Sequence, residues 1–168
     1  MKRIRVPIRT PRLVIRRFER DDVDRMHEIF GDEQVMRYIP LGVLDRSATE
    51  RLLATYNRNY DERGYSFWGI EHDGQLVGDV GFNAYAETGE PELGYTLARD
   101  SWGSGFASEA ASACIDAAFS ELDTDRVLAV VDLENDASLR TAERIGMTRI
   151  GTIHPRSRAH ALFERRRA

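Results

Sequence analysis

A chain of 168 residues, 42% hydrophobic and 31% charged, has the length and balance of one globular domain spanning 1–168 with a core of its own. A net charge of −4 excludes an overall basic field for nucleic acid, and no apolar run reaches the ~20 residues that cross a bilayer. One cysteine, Cys114, excludes an internal disulfide framework and suits a reducing cytoplasm, while four histidines without ligand spacing argue against a metal centre.

The basic start, Met1 to Arg5, lacks the apolar core of a signal peptide. Leu13–Phe18 follows Pro11 and reads as a first strand. Asp21 and Asp22 then stand where a helix cap belongs, ahead of apolar positions Val23, Met26, Ile29 and Phe30, and Gly31 ends that helix. Ser47 with Glu50 three residues on is a capping-box pattern. The stripe Ala48, Leu52, Leu53, Tyr56, Tyr60 continues this second helix to Gly64. Tyr65–Glu71 and Gln75–Phe82 read as strands joined through His72-Asp73-Gly74, a hairpin signal.

Pro91–Leu97 is a fourth strand and Ser104–Leu122 a long alanine-rich helix. Cys114 sits among those alanines with no histidine nearby, which marks a buried structural thiol. Arg126–Leu133 is almost continuously apolar, like a strand covered on both faces. Asn135 or Asp136 caps a short helix that stops at Gly146, and two strands fill Thr148–Phe163. Arg165-Arg166-Arg167 reads as a solvated, frayed tail.

Between the fourth strand and the long helix runs Trp102-Gly103-Ser104-Gly105-Phe106-Ala107-Ser108-Glu109. Glycines and small residues at a strand-to-helix turn let backbone approach a ligand closely. The first helical turn leaves its N–H groups unpaired at the positive end of the helix dipole. That combination suits phosphate or pyrophosphate.

The element order, with this turn after the fourth strand, resembles the GNAT N-acetyltransferase superfamily. Local segments resemble its RimJ/RimL-like branch: Thr10-Pro11-Arg12-Leu13-Val14-Ile15-Arg16, Gln75-Leu76-Val77-Gly78, Glu92-Leu93-Gly94-Tyr95, the Trp102–Ala110 turn, and Asn135-Asp136-Ala137-Ser138 followed by Ile145-Gly146-Met147. The resemblance runs the length of the chain. It implies an α/β (α+β) fold: a mixed sheet of about seven strands flanked by about four helices, with strands four and five splayed. It also implies acetyl-CoA as co-substrate, without a metal, and an amine acceptor. The chain would act as a cytoplasmic monomer or homodimer, without nucleic acid or membrane.

In that scheme pantetheine pairs with the edge of the fourth strand, pyrophosphate rests on the backbone amides of Ser104, Gly105, Phe106, Ala107 and Ser108, and Trp102 and Gly103 belong to the same cofactor-binding turn. Backbone near Leu97 polarises the thioester carbonyl, Asn135 positions pantetheine and Arg144 reaches the nucleotide phosphates. Ser104 replaces a frequent Lys or Arg, so the socket relies on backbone dipoles and binding is expected to be weaker. A primary amine must lose its proton before attack, and Glu92 matches the family's base, with Glu87 and Glu90 in reserve. Many relatives place a tyrosine seven residues after the asparagine to protonate the leaving thiolate, but Ala142 stands here. Ser138 matches a serine of the branch that reaches the sulfur; its plain alternative is a helix cap. Tyr38, Trp68 and Tyr85 are the aromatics expected on the acceptor side, although core packing also suits Trp68. The resulting expectation is an N-acetyltransferase acting by direct attack in a ternary complex on a protein N-terminus or small amine. The alternatives are a non-catalytic acyl-CoA sensor on the same fold and a dinucleotide-binding oxidoreductase. The second is disfavoured because the turn follows the fourth strand and lacks a Gly-x-Gly-x-x-Gly.

Overall fold

A computed structural model describes residues 1–168 as an eight-stranded mixed sheet with four α-helices. The chain runs β1 (Ile8–Arg9), β2 (Val14–Arg16), α1 (Val23–Phe30), α2 (Arg46–Arg63), β3 (Phe67–His72), β4 (Gln75–Ala84) and β5 (Pro91–Leu97). It continues through α3 (Phe106–Glu121), β6 (Arg126–Asp132), α4 (Asp136–Arg144), β7 (Thr148–Ile153) and β8 (His160–Arg166). In space the strands lie in the order β1-β2-β3-β4-β5-β6-β8-β7, and β5–β6 is the one parallel pair. The eighth strand is β1, two residues long and too short to leave a hydrophobic period in the sequence.

Asp73 and Gly74 both take positive φ, 49° and 80°, which closes β3 and β4 into a tight hairpin with His72 opposite Gln75. Gly64 ends α2 in the left-handed region, its N–H bonded to the Tyr60 carbonyl at 2.9 Å. On one face of the sheet Trp68, Ile70, Val80, Phe82 and Leu93 pack against Phe106, Ala110, Ala111, Cys114 and Ile115 of α3. Cys114 is fully buried and burial pushes its thiol up, which leaves it inert. The other face meets α1 and α2 through Phe18, Met26, Leu53, Leu76 and Ala98.

Three local expectations are corrected. Asp22 does not cap α1; its carboxylate is taken by Arg16 at 2.8 and 3.0 Å and by the Glu19 N–H at 2.7 Å. The cap of α2 is Asp45, which accepts the Ala48 N–H at 2.7 Å, while Ser47 accepts from Arg51. The basic tail is not frayed. Arg165 and Arg166 pair with Val127 and Arg126 in the sheet, and the Arg167 N–H donates to the Asp125 carbonyl.

Candidate active site

Strand β5 pairs with β4 along its whole length but with β6 through Glu92–Leu128 and Leu93–Ala129 alone. Beyond Leu93 the strands part, leaving Gly94, Tyr95, Thr96 and Leu97 half-buried along an unpaired edge. The Ala98 N–H donates to the Val77 carbonyl at 2.8 Å. Antiparallel alternation therefore turns the N–H groups of Gly94 and Thr96 toward β4, and those of Tyr95 and Leu97 into the gap. Such an edge can take a ligand as an added strand.

The gap leads to the glycine turn. Gly103 and Gly105 hold φ of 76° and 81°, a region other residues rarely adopt. No side chain caps α3, so the N–H groups of Phe106, Ala107 and Ser108 lack intrahelical partners. Trp102 folds back, its Nε1 donating to the Leu97 carbonyl at 3.0 Å, and the Ser104 hydroxyl donates to the Ser101 carbonyl. Trp102 thus braces the turn against the end of β5.

A cation does stand at this turn, from a segment that sequence reading did not bring there. The Arg12 guanidinium donates to the Ser104 carbonyl at 2.8 Å and lies 4.7 Å from the Phe106 ring centre. Its Nε meets the Glu109 carboxylate at 2.7 Å, and Glu109 also accepts the Thr10 hydroxyl at 2.7 Å. The Thr-Pro-Arg segment and the first turn of α3 are thereby clasped together. The sequence signal was Arg12 within that segment, but its partner lies 97 residues on.

Glu92 occupies the α1/α2 face of β5, at the point where β6 departs. Partial burial raises its carboxyl above the usual range, and no charge or hydrogen bond opposes the shift. Of the reserves, Glu90 is bound to Arg126 and Thr88, and the Arg126 guanidinium holds its pKa down to about 2. A carboxylate so stabilised is a poor base. Glu87 is exposed on the loop after β4.

Asn135 caps α4, its Oδ1 accepting the Ser138 N–H at 3.2 Å. The capping role considered for Ser138 therefore belongs to Asn135, and the Ser138 hydroxyl is left for other work. Tyr95 points to the same place from β5: burial raises its phenol, which lies beside the hydroxyls of Ser138 and Thr141. Ala142 is buried and presents no acid. Sequence reading missed Tyr95, whose signal was a polar-tipped aromatic on a strand with one open edge.

The aromatics divide. Tyr85 is buried next to β5, and its phenol is raised by burial and by the charges of Glu87 and Glu92. Tyr38 is half-buried in the α1–α2 connection under the Arg37 guanidinium. Trp68 is a correction: fully buried, it packs edge-on to Tyr60 and Phe82 on the α3 face, opposite Glu92. It belongs to the core. Arg144 is exposed at the far end of α4 from Asn135.

Residues 12–148 match the family model for the acetyltransferase (GNAT) domain. The chain belongs to the GNAT acetyltransferases. YkkB of Bacillus subtilis is 35% identical over 162 residues, 94% of either chain. YnaD of the same organism, an uncharacterized N-acetyltransferase, is 35% identical over 145 residues, 86% of this chain and 84% of its own. A GNAT-family acetyltransferase structure from Bacillus anthracis is 30% identical with a TM-score of 0.82, covering 95% and 97% of the two chains. The fold is shared with microcin C7 self-immunity acetyltransferase MccE, solved with acetyl-CoA and AMP, at a TM-score of 0.82 and 15% identity over 94% and 93% of the chains. Membership of the GNAT acetyltransferases makes the chain an acyltransferase.

Proposed function

We propose that this GNAT acetyltransferase moves an acetyl group from acetyl-CoA to a primary amine by direct attack in a ternary complex, in the manner of the RimJ/RimL-like branch. The observation that carries this reading is the opening between β5 and β6, with a desolvated carboxylate, Glu92, where it begins and an uncapped glycine turn at its end. The turn offers its free N–H groups to a pyrophosphate, and the Arg12 guanidinium, paired with Glu109, holds the turn in place through the Ser104 carbonyl. The gap-facing N–H groups of Tyr95 and Leu97 pair with an amide-bearing arm, and one of them polarises the thioester carbonyl. Asn135 contributes at the head of α4, and Arg144 meets the nucleotide end.

Glu92 takes the proton from the attacking ammonium, directly or through one water, and passes it to solvent; the amine lone pair forms the C–N bond, and the nitrogen of the adduct gives its second proton to the same path. Collapse of the tetrahedral adduct breaks the C–S bond and sends its electron pair to sulfur. Ser138 and Tyr95 donate hydrogen bonds, and then a proton, to the thiolate from the opposite side of the sheet. Solvent restores that proton. Tyr38 and Tyr85 line the acceptor side.

Incubating the protein with acetyl-CoA and a panel of primary amines, with free thiol as readout, tests the reading. Thiol release that depends on both protein and amine supports it. Acetyl-CoA binding without turnover on any amine points to the sensor instead.

Ser138→Ala is expected to lower kcat about tenfold with little change in either KM, and Tyr95→Phe to do the same. The double variant should be no worse than the poorer single one, because the two hydroxyls serve one proton path. Melting temperature on the same preparations separates this from destabilisation. Full turnover in Ser138→Ala removes the serine from the chemistry.

A further inference from the structure

The two tryptophans of the chain sit in opposite surroundings. Trp68 is sealed in the core, whereas Trp102 is 49% exposed, the one aromatic among the large apolar side chains left in water. Its polar atom is nonetheless satisfied, since Nε1 donates to the Leu97 carbonyl at 3.0 Å. The register fixes the side of β5 on which that carbonyl lies. The Ala98 N–H bonds the Val77 carbonyl, so the next pair, Gly78 and Leu97, is an unbonded one. Both polar groups of Leu97 therefore face away from β4, into the gap, and the indole closes the outer end of the free edge. Along that edge the Tyr95 N–H, the Tyr95 carbonyl and the Leu97 N–H stay open to a ligand; the Leu97 carbonyl does not.

Holding a carbonyl asks only for a donor, which a glutamine or arginine would supply without leaving a broad apolar face in solvent. The unused face of Trp102 lies at a junction. The residue directly precedes Gly103 and the turn that presents the N–H groups of Phe106, Ala107 and Ser108, and it is bonded to the strand end that offers N–H groups to amides. A ligand that spans both must cross it. In acetyl-CoA the piece between the pyrophosphate and the first amide is the pantoyl segment, whose quaternary carbon carries two methyl groups and no donor. Laid over the end of β5, that carbon would bury an unpaired Leu97 carbonyl, and a buried acceptor without a partner is costly. We propose that Trp102 is the platform for this pantoyl segment: the exposed indole face packs against its methyl groups while Nε1 keeps the Leu97 carbonyl paired beneath them. Trp102 thereby selects the donor by the apolar link in its arm, separately from the anion and the amides. This rests on the acetyl-CoA reading above and assigns one part of the donor to one side chain.

Affinity and emission test the platform. Calorimetry compares CoA, which carries the segment, with adenosine 3′,5′-bisphosphate, which carries the phosphate end without it. Trp102→Ala is expected to weaken CoA binding about tenfold or more, through lost apolar contact and the orphaned carbonyl, and to leave the bisphosphate unchanged. Trp102→Phe keeps a ring but not the donor and should lose CoA affinity several-fold. Gly105→Val should weaken both ligands, because it disturbs the turn itself. In the unaltered protein CoA and pantetheine should move the tryptophan emission to shorter wavelength as the indole is covered. The bisphosphate should not, and Trp102→Phe should abolish the shift, leaving only the sealed Trp68. A CoA affinity indifferent to Trp102→Ala overturns the proposal, as does an emission that CoA leaves unmoved. So does an equal loss for CoA and the bisphosphate, which would reduce Trp102 to a brace of the turn. Trp102-dependent CoA binding without acetyl transfer to any amine supports the platform and defeats the transfer reading; transfer with a CoA affinity indifferent to Trp102 does the reverse. If Trp102→Ala does not fold, the same pair of ligands on Trp102→Phe decides.

Discussion

Glu92→Gln is expected to lower turnover by ~10²–10⁴, the usual cost of losing a general base, and to leave the KM for acetyl-CoA nearly unchanged. The amide keeps the size and the hydrogen-bonding capacity of the carboxylate but cannot accept a proton. Burial raises the Glu92 carboxyl, so its basic form, and with it the rate of the unaltered enzyme, grows as pH climbs through that raised value. The variant lacks this limb. Its deficit should shrink in alkaline solution, where solvent deprotonates the amine unaided. Parallel pH–rate profiles for the two proteins, recorded from acid to alkaline pH, check the assignment. Superimposable profiles place the base elsewhere; Glu90, held ionised by Arg126, is a weak successor, so water or Glu87 would inherit the role.

Gly105→Val is expected to weaken acetyl-CoA binding tenfold or more, about 1.4 kcal/mol or above. Two effects add. A β-branched residue is strained at the φ of 81° that Gly105 adopts, and a Cβ there would sit 3.3 Å from the Arg12 guanidinium. Relief of either shifts the first turn of α3 and with it the N–H groups that face the anion. Calorimetry measures the affinity, and circular dichroism confirms that α3 persists. Gly103→Ala is a useful comparison, because its Cβ would meet nothing within 4 Å and backbone strain alone remains. Unaltered affinity in Gly105→Val would remove the turn from the cofactor site.

Most of this architecture was legible because its signals are local. Asp73-Gly74 specified a hairpin, Gly64 and Gly146 specified helix ends, and the apolar run Arg126–Leu133 specified a covered strand. The α3 turn was legible for the same reason, since its glycines must take positive φ wherever the chain folds this way. The caps were less so. Ser47 and Asp45 both offer an oxygen near the start of α2, and the choice depends on which residue leaves helical geometry first.

What stayed hidden depends on the far side of each strand. Trp68 and Tyr95 are both aromatics on strands, separated by where their faces lead. Trp68 looks into α3 and is sealed, whereas Tyr95 shares that face but stands at the open edge, where α4 brings Ser138. Asp79 sits mid-strand in β4 between Gly78 and Val80. It is buried because α2 lays Tyr56 across that face, a contact that no pattern within β4 announces. Arg12 was visible as part of a motif, but its partner Glu109 was not, since only the folded sheet brings them together.

The two-pair seam between β5 and β6 has a consequence for how long the protein lasts. The backbone ladder crosses the middle of the sheet only through Glu92–Leu128 and Leu93–Ala129, the core under α3 holding the halves together, and the unpaired stretch beyond Leu93 is the place to expect early local opening. A thioester carrier lying along Tyr95 and Leu97 would bridge the halves and become, in effect, a removable structural strand. At a hundred times its Kd it would add about 2.7 kcal/mol to folding stability by mass action alone. Proteolytic lifetime would then follow the supply of charged carrier. The protein would persist where acetyl donors are plentiful and be cleared where they run short, without any separate regulatory element.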